Sequence, residues 1–243
     1  MAKDDLKKPK RKSSIKTRNR KSKRRRVISL YLTALSAVIM LIISVTLLTY
    51  FDNLTRSRKE YNALQLMGEE SAFDAGMREI NPDYLCWLTI DGTNVDYPVV
   101  RGGDNEKYLV KSFSGEQNPF GAIFMDYRCV GEYVPHIIIY GHNSRHGDMF
   151  GGLEKFLDRQ YMAERPIITL KINDRIVEYE IFAARNTTVT DPAYELDFRT
   201  PGSFRAFAGR CGAPPNSKQI ITLSTCVNDD DDKRVIVQGA VIY

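Results

Sequence analysis

The chain has 243 residues, 43% of them hydrophobic and 27% charged, which suits one folded domain with an appendage. The net charge of +5 conceals a division: residues 1–26 hold 14 of the 35 Lys/Arg beside two acids, leaving 21 basic and 28 acidic residues in the rest. The cationic character therefore belongs to a tail, which argues against a basic nucleic-acid-binding domain. The four cysteines, Cys86, Cys129, Cys211 and Cys226, show neither a CxxC pair nor zinc-ligand spacing. A domain of about 190 residues buries enough apolar surface to fold without disulfide staples.

Residues 1–26 read as a basic cytoplasmic tail, and residues 27–51 as a transmembrane signal anchor. The 25 residues 27–51 carry no charge, and about 20 apolar residues suffice to cross a bilayer as helix. Tyr31, Tyr50 and Phe51 stand near its ends, where aromatic side chains favour the interface. The run is longer than the apolar core of a cleaved signal peptide, and no small-x-small cleavage site follows it. The basic stretch 7–26 abuts the span directly, so positive flanks keep it cytoplasmic and in reach of membrane lipid headgroups. This predicts a single-pass protein of the cell membrane with its following domain outside the cell.

Residues 52–80 read as a helical segment, with Leu54, Tyr61, Leu64 and Met67 roughly at helical spacing. Asn81-Pro82 ends it, and residues 81–243 form the main domain. Strands rich in Ile, Val, Tyr and Phe are predicted at 85–90, 95–100, 122–125, 136–140, 167–172, 176–183, 219–225 and 234–242. Asp91-Gly92 and Asn173-Asp174 are turn signals between them. Short helices are predicted at 149–157 and 203–211. Many short strands with few helices give a mainly β fold with flanking helices, a barrel or a sandwich.

Chemistry begins at Cys226, which ends the run Ile220-Ile221-Thr222-Leu223-Ser224-Thr225-Cys226. Strand alternation puts Thr222, Ser224 and Cys226 on one, more polar face. A thiol at a strand end is either a reachable nucleophile or a buried structural cysteine. If strand 234–242 returns beside it, Arg234 stands about 5 Å away across the ladder. A guanidinium there stabilises a thiolate or an oxyanion; the alternative is a surface arginine balancing Asp229 to Asp232. A thiol nucleophile needs a proton partner. His136 and His142 flank one strand and are about 20 Å apart if it is extended, so only one serves a given barrel end. His142 opens a loop, where catalytic groups concentrate; His136 follows Pro135 and reads as structural; His146 is a loop residue that could substitute. The four aspartates lack the spacing of a calcium loop, and neither a metal nor a cofactor is signalled.

These residues resemble the sortase family. Thr222 to Cys226 is similar to its TLxTC signature, with an arginine eight positions on, and Tyr140-Gly141-His142-Asn143 to its histidine motif. Asn81-Pro82-Asp83 leading to Trp87, Asn94 to Val99, Ala122 to Tyr127 and Gly147 to Phe150 resemble class B sortases in particular. The resemblance covers about residues 80–243 and implies an eight-stranded sortase-type β-barrel preceded by N-terminal helices. It implies a cysteine transpeptidase in which Cys226 attacks an LPxTG- or NPxTN-like sorting signal of secreted surface proteins, His142 protonates the leaving amine and Arg234 stabilises the oxyanion. A peptidoglycan amine then takes the acyl group from the thioester. Asn105, Leu109, Ser224 and Thr225 are implied as substrate-groove residues. One departure is Val227, apolar where some class B members are polar. Two alternatives use the same residues differently: a thiol peptidase with water as acceptor, and a non-catalytic membrane-anchored module. Papain-like chemistry is disfavoured because its cysteine precedes its histidine.

Overall fold

The computed structural model describes residues 12–67, 73–131, 134–144, 146–173, 175–227 and 230–242, with backbone alone at 12–22, 226–227 and 230–231. The chain divides into two compact units, Met1–Asp52 and Asn53–Tyr243. In the first, helix α1 (Lys12–Leu66) begins; its residues 23–66 are long and apolar enough to cross a membrane.

The second unit opens with the end of α1. Leu54, Ser57, Tyr61 and Leu64 are buried there, a three–four spacing that puts one face of the helix against the barrel. Met67, expected on that face, is exposed because the helix ends at Leu66. Tyr61 meets Tyr97 edge-on at 5.1 Å, and its hydroxyl donates to the carbonyl of Gly121. The short helix α2 (Phe73–Ile80) buries Phe73 and Met77. Asn81 then caps the turn into the sheet, its amide donating to the carbonyl of Phe113 at 2.7 Å.

Eight strands follow: β1 (Tyr84–Thr89), β2 (Asp96–Val100), β3 (Ile123–Met125), β4 (His136–Tyr140), β5 (Ile167–Ile172), β6 (Arg175–Thr188), β7 (Ile220–Val227) and β8 (Asp230–Val241). They close into a barrel in the order β1-β2-β3-β4-β7-β8-β6-β5, and β5 returns to β1. Closure leaves no strand edge open. All pairs are antiparallel except β2 with β3 and β4 with β7. The core is aliphatic: Leu88, Val99, Ile123, Ile138, Leu170, Ile221, Leu223 and Val237 are fully buried.

The strands sit close to their predicted places. β6 runs further than expected, to Thr188, because it pairs with β8 along its whole second half. β7 and β8 also extend into the acidic loop, where Val227 pairs with Asp230; Asn228 and Asp229 lie outside the described residues. The helix predicted at 149–157 shrinks to a 3-10 turn at Leu153–Leu157, because Met149 takes a positive φ of 54° and bridges Asn143 instead. Helix α3 (Arg159–Glu164) was not foreseen; its signal is Asp158, whose carboxylate accepts the N–H of Tyr161 as N-cap. Helix α4 (Pro201–Cys211) starts two residues before its predicted place, because Thr200 forms a capping box with Ser203 and Pro201 suits the first turn. It packs Phe204, Phe207 and Ala208 on Ile220 of β7.

The parallel pairing of β4 with β7 brings the candidate residues to one end of the barrel. Its register runs from His136↔Ile220 to Tyr140↔Ser224. Two residues beyond that last pair, the chain reaches His142 on one side and Cys226 on the other. Both strands point the same way, so both residues arrive at the same end of the barrel. β8 starts at that end, and its Arg234 is the ladder partner of Cys226.

Candidate active site

A pocket of about 300 Å³ opens at this end of the barrel. Six of the seven residues singled out from sequence line it: Asn105, Leu109, His142, Ser224, Thr225 and Arg234. The seventh, Cys226, follows Thr225 and faces Arg234 in the ladder; its side chain lies outside the described residues. Phe124, Arg128, Tyr140, Gly141, Val189 and Tyr194 complete the lining.

Each polar residue is held by a specific contact. His142 Nε2 lies 2.7 Å from the carbonyl oxygen of Leu109. A carbonyl only accepts, so Nε2 carries the proton and Nδ1 is the nitrogen left to exchange one. A backbone carbonyl thus orients this histidine. Gly121 makes this approach possible: it has φ of +58°, and a Cβ there would lie 2.9 Å from the Leu109 carbonyl and 3.0 Å from the His142 ring. Gly141, just past the end of β4, lets the chain pass close to Phe150, whose ring a Cβ there would meet at 2.8 Å.

Ser224 is buried, and its hydroxyl shares a 2.8 Å hydrogen bond with Tyr194. Tyr194 in turn lies parallel to Tyr140, with ring centroids 6.5 Å apart. The segment carrying Val189 and Tyr194 is pinned by Asp191, which takes a two-point hydrogen bond from Arg185 at 2.7 and 2.8 Å and also accepts from Thr187 and the N–H of Ala193. The Arg185 guanidinium holds that carboxyl well below the usual carboxylate range. Arg234 donates from Nη1 to the carbonyl of Lys233 at 2.9 Å.

Asn105 and Tyr140 meet at a buried carboxylate, Asp126, which accepts from both at 3.0 Å and from the Arg128 side chain at 2.9 and 2.8 Å. The segment Ala122 to Tyr127 was noted in sequence only for its resemblance, and Asp126 had no role assigned. Tyr140 could have been found from its place at the end of β4, two residues before His142. Tyr194 could not, since it comes from the irregular link between β6 and α4.

The other histidines do not enter the pocket. His136 is fully buried under α4, its Nδ1 2.8 Å from the carbonyl of Glu195 and its Nε2 2.8 Å from the Thr222 hydroxyl. Burial pushes its pKa down to about 4, which keeps it neutral. His146 is exposed on the loop. Cys86 and Cys129 are buried free thiols, and burial pushes their pKa up to about 12 and about 11. Cys211 is a partly buried free thiol beside Gln238.

Residues 88–242 match the model of the sortase domain. The chain is 32% identical to sortase B of Listeria monocytogenes over 178 residues, which are 68% of this chain and 72% of that protein. It is 30% identical to sortase B of Staphylococcus aureus, again across 68% of this chain and 73% of the other. Among solved structures, a Staphylococcus aureus sortase B–substrate complex superposes with a TM-score of 0.70 at 27% identity, covering 77% of this chain and 97% of that one. Sortase B from Bacillus anthracis gives 0.71 at 26% identity, covering 79% and 99%.

Proposed function

The chain belongs to the sortase family, as a class B sortase-type cysteine transpeptidase, and from that premise we propose that Cys226, His142 and Arg234 carry the reaction in the pocket at the barrel end. The observation that supports this most is topological: parallel β4 and β7 deliver His142 and Cys226 to one level, and antiparallel β8 sets Arg234 opposite Cys226.

In this reading the substrate is a C-terminal sorting signal of LPxTG or NPxTN type on a secreted surface protein. It lies in the groove between Asn105 and Leu109 on one wall and Ser224 and Thr225 on the other. The Cys226 thiol passes its proton to His142 Nδ1, and the thiolate attacks the carbonyl carbon of the signal's threonine, forming a C–S bond and an oxyanion. Arg234 stabilises that charge with a planar pair of donors. Collapse breaks the C–N bond, and His142 gives a proton from Nδ1 to the departing amine. A peptidoglycan-precursor amine then attacks the thioester, returns its proton to His142 and releases Cys226. An oriented amine outcompetes water through proximity.

The same reading assigns residues 1–26 to the cytoplasm, 27–51 to the cell membrane and 81–243 to catalysis outside the cell, with 52–80 as the helical connection. Anionic lipid headgroups would meet the basic tail.

The test uses the full chain in detergent micelles with LPxTG-, NPxTN- and SPxTG-type peptides and candidate wall amines, read by mass spectrometry beside a Cys226→Ala control. A Cys226-linked acyl adduct and amine-ligated product, both absent from the control, are the expected result. Cleavage without ligation would support a hydrolase. No adduct with any peptide would support a non-catalytic module.

A further inference from the structure

The polar lining of the pocket converges on a group that does not itself line it. Asp126 is fully buried, at 0% exposure. Its Oδ1 accepts the backbone N–H of Arg128 at 3.0 Å and the Arg128 Nε at 2.9 Å. Its Oδ2 accepts Arg128 Nη2 at 2.8 Å, Asn105 Nδ2 at 3.0 Å and the Tyr140 hydroxyl at 3.0 Å. Asn105, Arg128 and Tyr140 all line the pocket, and they come from three separate segments of the chain. One carboxylate therefore joins the loop before the 3-10 turn Lys107–Leu109, the turn after β3 and the end of β4.

A buried carboxylate is costly unless it is paired and hydrogen-bonded. Burial pushes the Asp126 carboxyl up, but the Arg128 and Asn105 hydrogen bonds outweigh it and hold the group below its ordinary value, hence ionised. An ionised carboxylate accepts and cannot donate. It therefore dictates which way the Asn105 amide faces: Nδ2 toward Asp126, with Oδ1 accepting the N–H of Tyr127 at 3.0 Å. Both ends of the amide are held, so it cannot flip. One N–H of Nδ2 and one lone pair of Oδ1 remain, a pairing that matches a peptide group in extended conformation.

We propose that Asp126 is a positioning residue for transpeptidation, holding Asn105, Arg128 and Tyr140 in the geometry that receives the backbone of the sorting peptide. It sets peptide affinity, and the reactivity of Cys226 is independent of it. The inference rests on the functional reading above.

The test uses the full chain in detergent micelles and the peptide of the panel that acylates Cys226. For Asp126→Asn, KM is expected to rise about tenfold, the cost of a lost charge-assisted hydrogen bond. The rate of Cys226 alkylation by iodoacetamide should stay within about twofold, a change too small to carry such a loss. In the Cys226→Ala background, Asp126→Asn and Asn105→Ala should each weaken binding of the labelled peptide, and the double variant should lose less than the sum of the two, because Asp126 acts in part through Asn105. An unchanged KM overturns the proposal, as does an alkylation rate that falls in step with turnover, or additive losses in the double variant. Should Asp126→Asn fail to fold, Asp126→Glu keeps the charge beside Arg128 and displaces the oxygens. A raised KM then supports the proposal and a wild-type KM overturns it. Absence of an adduct with every peptide in the unaltered chain is a separate outcome, which overturns the functional reading itself.

Discussion

Acidification from about pH 7 to about pH 5 is expected to destabilise the barrel through His136. This side chain is fully buried, with the Glu195 carbonyl and the Thr222 hydroxyl each 2.8 Å from a ring nitrogen. Nδ1 donates to the carbonyl, so Nε2 accepts from Thr222. Thr222 Oγ1 also accepts from Gln238 Nε2 at 3.0 Å, and Phe207 packs over the ring at 4.7 Å between centroids. A proton on Nε2 would face the Thr222 hydroxyl proton now donated to it, forcing that hydroxyl to turn and leaving a cation inside an apolar wall. The folded pKa of about 4 lies below the ordinary 6.5, so the unfolded chain binds the proton more readily. Stability is intact above about pH 6.5 and is lost as pH falls toward about 4. The full gap corresponds to about 3 kcal/mol, of which about 2 kcal/mol is lost by about pH 5. Asp126 and Asp191, both held below ordinary carboxylate values, lose their contributions only at lower pH. The assay is urea unfolding of the full chain in micelles, followed by the fluorescence of Trp87, the single tryptophan, which is buried in β1. His136→Gln should be less stable at neutral pH by about 1–3 kcal/mol, since its partners lose their geometry. It should also lack the slope between about pH 7 and about pH 5. A wild-type protein with no slope there, or a variant that keeps the same slope, would refute the reasoning.

Four further outcomes are expected. Arg234→Lys keeps the charge but loses the planar fork, so kcat should fall about 10²- to 10³-fold; wild-type turnover would remove Arg234 from the chemistry. Gly121→Ala forces a Cβ toward the carbonyls of Tyr108 and Leu109 at a positive φ, and should cost about 2 kcal/mol or more together with most of the turnover; a native unfolding midpoint would refute the close packing of that segment on His142. Asp191→Asn weakens the anchor of the wall carrying Val189 and Tyr194, so peptide KM should rise severalfold, about 3–10, with alkylation of Cys226 unchanged; an unaltered KM would show that this wall does not touch the peptide. Cys86 and Cys129 are buried thiols with raised pKa, so iodoacetamide should modify them only after unfolding, and mass spectrometry of the folded protein finding either one labelled would contradict their burial.

Much of the barrel was legible because its signals are local. Runs such as His136–Tyr140 and Ile220–Val227 are dense in β-branched residues, and turn chemistry separates them: Gly92 has a φ of 72° and Asn173 one of 45°, as expected of Asp-Gly and Asn-Asp turns. The short helix α3 and the 3-10 turn at Leu153–Leu157 were misjudged, since too few residues are involved for a helical period to emerge.

From the sequence alone came the apolar 27–51 run, the strand character of the domain, and the residues Cys226, His142 and Arg234 as the chemical candidates, together with the resemblance that joined them. Strand composition left barrel and sandwich open, the resemblance implied an eight-stranded barrel, and the closed strand order bears that out; which strand pairs with which came only from tertiary structure, because partnership depends on contacts between distant segments. The parallel pairing of β4 with β7 joins residues 84 apart, as in His136↔Ile220, and no periodicity encodes it. The Leu109 carbonyl on His142 spans 33 residues, and the Asn105 amide on Asp126 spans 21. Backbone groups carry no residue identity, and a buried carboxylate looks like any other aspartate until its neighbours are known. Local chemistry could therefore nominate candidate reacting groups, while only closure of the barrel could supply the groups that orient them.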